Sequence, residues 1–196
     1  MKTLFLAAGI ILLSGLNTVS AGSFEEKKFD AGIASGLLMP GDVYISLHGD
    51  NVKQKSNFML KAFADAYIIP QLAFGAYFSY SSLNLKNDIE VFGKTIKKSG
   101  TPIWEIGASM KPRFVFSEKF AVKPGIMIGH RQFAGDNSFT KWTGLALNGS
   151  CELQYRISEK LILYQESGFV YQPYGGNVDT DVTFDPKLYF LLGIAL

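Results

Sequence analysis

Cysteine is almost missing from this chain. Its one example in 196 residues, Cys151, leaves no internal disulfide to form. The alternation of the surrounding stretch turns Cys151 outward, as a small apolar side chain rather than a nucleophile. Histidine is nearly as scarce, with only His48 and His130. Net charge is small as well: 19 basic and 17 acidic residues leave +2, which carries no nucleic-acid footprint. Beyond residue 21 no apolar run reaches the roughly 18 residues that a membrane helix needs, so any membrane residence of the mature chain has to come from strands. Asp179, Asp181 and Asp185 lie close together, but their spacing lacks the ligand pattern of a calcium loop and fits solvated turn chemistry.

The N-terminus carries Lys2, an apolar run from Leu4 to Leu16, and the small residues Val19, Ser20 and Ala21. This predicts a cleavable secretory signal over residues 1–21 and one mature domain over 22–196, exported and without a lipoprotein anchor, since no cysteine follows the cleavage site. The whole chain is 14% aromatic, with 16 Phe, 9 Tyr, 2 Trp and 20 Gly. Such a mixture suits curved sheets with aromatic girdles.

The most informative stretch runs from Ile103 to Phe133. Trp104, Ile106, Ala108, Met110, Pro112, Phe114 and Phe116 alternate with Glu105, Gly107, Ser109, Lys111 and Arg113, a period of two. Ser117, Glu118 and Lys119 supply a turn, after which Phe120, Val122, Pro124, Ile126 and Ile128 alternate with Ala121, Lys123, Gly125, Gly129 and Arg131. One face is hydrocarbon, while the other mixes glycine with full charges. A soluble barrel, such as a lipocalin, would point its polar face outward. Here the pattern is inverted, as expected of strands that face lipid.

The same pattern recurs along the chain. Strands are expected over 29–38, 57–68, 72–83, 103–116, 120–133, 141–157, 161–171 and 188–196. Tight turns at Pro70–Gln71, Ser117–Lys119 and Ser158–Lys160 alternate with long loops over 39–56, 84–101, 134–140 and 172–186. Val43–Leu47 is expected to extend a strand beyond the membrane, and Val91–Thr95 to form a small hairpin. Gln165 and Ser167 fall on the lipid face of the seventh strand, against the pattern. The fold class is therefore all-β: an eight-stranded antiparallel up-and-down transmembrane barrel, with short turns on one side and long loops on the other.

The inward set contains Lys61, Asp65, Glu105, Lys111, Arg113, Lys123, Arg131, Glu152, Arg156 and Glu166. An eight-stranded lumen is only wide enough for side chains to fill, so these charges are expected to pair with those of neighbouring strands. Tyr67, Tyr77 and Met127 add volume. A closed interior places function in the outer loops.

This chain resembles the small eight-stranded outer-membrane barrels of Gram-negative bacteria, the family that includes OmpX, the OmpA membrane domain and the opacity proteins. The resemblance rests on the inverted alternation and the long/short loop asymmetry from about Phe29 to Leu196. It implies an outer-membrane location, contact with outer-membrane lipid and recognition of the last strand by the barrel assembly machinery. The loop lysines Lys86, Lys94, Lys97 and Lys98 suit either contact with lipopolysaccharide phosphates or, equally, a merely soluble loop. A monomer without cofactor or metal, acting as a structural or surface-interaction protein, needs no special residues and is the expectation. A narrow channel for small or apolar solutes is the alternative. A lipid A-modifying enzyme is less favoured, because such barrels present a histidine with a serine and a carboxylate near the outer rim. His130 has Trp104, Ile106, Thr143 and Leu145 as its expected neighbours and reads as part of the interfacial belt.

Overall fold

The computed structural model describes residues 28–45, 50–86, 88–91, 94–96, 100–134, 143–158, 160–177 and 180–196. The expected signal peptide, His48, Lys97, Lys98 and Asp179 lie outside them. Among the described residues there is no helix. The strands are β1 (Phe29–Leu38), β2 (Asp42–Ile45), β3 (Asp50–Lys53), β4 (Asn57–Ile69), β5 (Leu72–Leu83), β6 (Ile89–Val91) and β7 (Lys94–Ile96). They continue with β8 (Thr101–Pro112), β9 (Phe114–Val115), β10 (Phe120–Phe133), β11 (Thr143–Arg156), β12 (Ile162–Asn177) and β13 (Thr180–Ala195).

Eight of these make the wall. Each pairs antiparallel with its neighbour in the order β1-β4-β5-β8-β10-β11-β12-β13, and β13 returns to β1 through Gly32↔Ala195 to Leu38↔Tyr189. Closure leaves no raw edge, which is what a bilayer demands of backbone that no water can satisfy. The alternation decides which face is which. Ile33, Ile126 and Leu192 are 62%, 58% and 64% exposed on the outside, whereas Asp65, Lys123 and Glu152 are fully buried on the inside. Apolar surface this open on one face of every wall strand is a lipid-facing belt.

The short turns fall where the sequence marks them. Arg113 N–H donates to Gln71 O beside the Pro70–Gln71 turn, and Ser117 and Phe120 exchange backbone bonds across theirs. The strand expected to run from Ile103 to Phe116 breaks at Arg113, between β8 and β9. Its guanidinium donates to Pro70 O (2.8 Å) and stacks 3.8 Å from the Tyr67 ring, so the break serves to seat that side chain over the inner end of the lumen.

Above the membrane two expectations change. The first loop is largely strand: β2 continues β1 upward, β3 pairs back on it, and Gln54 bridges to Leu85. Its Val43–Ile45 part thus extends the wall, as the sequence suggests. By contrast, the loop expected over 172–186 is a correction. β12 runs on to Asn177 and β13 begins at Thr180, with register shifts between Val170 and Gln172 and between Gln172 and Gly176. Glycine, asparagine and aspartate there read as turn signals, but a strand in water needs no apolar outer face, and β2 covers this extension through Val43↔Phe184 to Ile45↔Val182. β6 and β7 form the small expected hairpin.

Candidate functional site

The lumen is where the chemistry is concentrated. All ten residues expected to point inward are buried. Alternation alone brings like charges side by side: Asp30 is directly opposite Asp65, and Glu152 is opposite Glu166. Adjacent carboxylates in a closed space repel, and the lysines resolve it. Lys123 Nζ reaches Asp65 (2.9 Å), Asp30 (3.2 Å) and Glu152 (3.6 Å). Lys111 Nζ bridges Asp65 (3.0 Å) and Glu152 (2.7 Å), and Lys61 Nζ holds Glu166 at 2.5 Å.

Several of these contacts cross the bore instead of joining neighbouring strands as expected. Lys61 on β4 crosses to Glu166 on β12, and Lys111 on β8 crosses to Asp65 on β4 and Glu152 on β11. In so narrow a lumen a lysine stem spans the bore, and the far wall is as close as the adjacent strand. Two pairs do join adjacent strands in register: Glu105 with Arg131 at 2.5 and 2.9 Å, and Lys123 with Glu152 at 3.6 Å. Tyr77 Oη donates to the Glu105 carboxylate, as does Asn148 Nδ2 (2.6 Å). A Cβ at Gly129 would collide with the Tyr77 hydroxyl, so glycine is required for that close approach.

Arg113 caps the inner end as described, and buried Arg156 donates its backbone N–H to Lys119 O at the neighbouring turn. Sequence reasoning passed over Asp30, which accepts from Tyr67 Oη (2.5 Å) as well as from Lys123. It also passed over Tyr189, whose hydroxyl donates to Glu166 (2.6 Å), and Lys187, buried and donating to Gln54 Oε1. The alternation through Tyr189 and Leu191 carries the signal that would have placed Lys187 inside.

At the outer end the lumen is shut by hydrocarbon. Phe133 and Phe184 stack with ring centres 5.0 Å apart, both buried, with Val43 and Leu85 also buried at this level and Lys187 Nζ 4.7 Å from the Phe184 ring. On the lipid face, His130 stands opposite Ile106 and Leu145, with its ring 6.4 Å from that of Trp104. A shallow lateral depression opens beside it, lined by Ile106, Gly107, Ile128, Gly129, His130 and Leu145, with no serine or carboxylate in the lining.

No family model matches the sequence, and comparison with curated proteins finds no relative. Solved structures do match. The chain is similar to Neisserial surface protein A at a TM-score of 0.54 and 14% identity, over 86% of this chain and 95% of that one. It is similar to the outer membrane protein OprG from Pseudomonas aeruginosa at a TM-score of 0.54 and 12% identity, over 88% and 98%. At these identities the likeness is one of fold. The chain has the fold of the eight-stranded outer-membrane β-barrels, with a closed wall and an apolar belt of the kind that faces lipid.

Proposed function

We propose that the protein is a non-enzymatic surface-interaction component of the outer membrane, working through the strands and loops that stand above the bilayer. The observation that carries this reading is the plugged bore: charges paired across the full width of the lumen, sealed outside by Phe133 on Phe184 and inside by Arg113 on Tyr67. Such a bore offers no room for a solute. Above it, Lys53, Lys55 and Lys86 are exposed and adjoin one another, since Lys86 N–H donates to Lys53 O and Lys55 N–H to Asn84 O. Clustered ammonium groups at headgroup height favour the phosphates of lipopolysaccharide as a partner. An enzymatic reading lacks support because His130, the histidine within the described residues, has apolar strand neighbours on both sides.

Planar-bilayer recording tests the plug. The mature chain should show no large, steady conductance. Such a conductance, persisting after loops 39–56 and 84–100 are trimmed, would overturn this reading in favour of the narrow channel.

A further inference from the structure

The belt has one polar flaw. On β12 the outward positions run Leu163, Gln165, Ser167, Phe169 and Tyr171, so Ser167 stands at the middle of the membrane-facing row and Gln165 one step toward the short turns. Both are partly exposed. Gln165 Nε2 donates to Ser167 Oγ at 2.5 Å, which satisfies one amide hydrogen and one hydroxyl lone pair. The second amide hydrogen, the amide oxygen and the serine hydroxyl hydrogen have no further partner among the described residues. Lipid tails provide none, and an unmet polar group in hydrocarbon is costly.

The surroundings make this a place where another wall can approach. Ser167 pairs in register with Cys151, so two small side chains sit together at the centre, while the next outward position on β11, Gly149, has its side-chain space filled by the Phe169 ring. Small side chains at the centre allow close contact of backbones. Around them Leu153, Phe190 and Leu192 are well exposed and apolar, a hydrophobic rim about a polar centre.

We infer that this face is a dimer interface, and that its occupant is a second copy of this chain. The argument for self-association is complementarity: a side-by-side amide and hydroxyl hold both donors and acceptors, so a two-fold axis along the membrane normal lets each Gln165 bond the Ser167 of the other copy reciprocally. One surface then satisfies itself with no additional partner chemistry. Such a dimer also departs from the monomer expected from the sequence.

The mature chain is reconstituted in phosphatidylcholine vesicles over a range of protein-to-lipid ratios and treated with a short, amine-reactive cross-linker, which reaches the exposed Lys119 and Lys160 of the short turns at the foot of this wall. A two-chain band is expected for the native sequence. Gln165→Leu and Ser167→Ala should each reduce it about tenfold, on the scale of hydrogen bonds between membrane segments. Ser82→Ala, which alters an outward serine on β5 on the opposite side of the wall, should leave it unchanged. Heat-modifiable migration confirms that each variant is folded, and replacing Gln165 with leucine removes a polar group from the lipid face, so it should insert at least as well as the native chain. Sedimentation in neutral detergent gives a second reading of the same equilibrium. The inference is overturned if the native chain stays monomeric at every ratio, if the Gln165 and Ser167 variants cross-link as well as the native chain, or if Ser82→Ala abolishes the band equally.

Discussion

At the level of single residues, the lumen behaves as one charge system in which a lysine serves several carboxylates. Lys123→Met should therefore leave Asp30, Asp65 and Glu152 crowded and uncompensated, costing about 3–5 kcal/mol, the usual penalty for breaking a buried pair from one side. Guanidinium unfolding of the reconstituted barrel, followed by tryptophan fluorescence, measures it. The outer face gives the complementary case. Ile126→Lys, near the middle of β10 and open to lipid, should cost about 2–4 kcal/mol, while Glu118→Lys in the exposed turn should cost almost nothing. Equal unfolding midpoints for these two variants would mean that inside and outside have been exchanged. This distinction was legible in the sequence because strand side chains have a period of two and a lipid-facing wall leaves no ambiguity about which set is apolar. Partners were not legible. A pattern of alternation gives the face of Lys111 but not that it reaches across the bore to Asp65 and Glu152, since that depends on how the closed wall staggers its strands.

Among the elements, the extension above the membrane is the part that sequence reasoning reads least well. Inside the bilayer both faces of a strand carry signal; above it only the inward face does, here through Val43, Gln172 and Phe184, while the outward face is polar like any loop. Hence Gln172–Pro186 reads as loop but pairs as strand. The hairpin of β2 and β3 hangs on this extension by three register pairs and by the burial of Val43. Val43→Asp should detach it without harming the wall below. Hydrogen exchange resolved by segment should then show faster exchange over residues 42–53, with β4 and β5 still protected. Loss of protection throughout the barrel would show that the hairpin supports the whole fold.

For the molecule as a whole, closure is a single event. β1 has no second neighbour until β13 arrives, and Lys61 meets Glu166 only across a separation of 105 residues in the chain. A partly made wall would carry Lys61, Lys111 and Lys123 into hydrocarbon before their carboxylates had come, and it would present the unpaired edges of two strands. Neither is tolerable in a bilayer. The ring must therefore come together before or as it enters the membrane, driven by contacts distant in sequence, and such contacts fold slowly. During that interval the chain is an open, charged ribbon with its backbone unpaired, so the slower the ring closes, the longer cleavage can compete with folding.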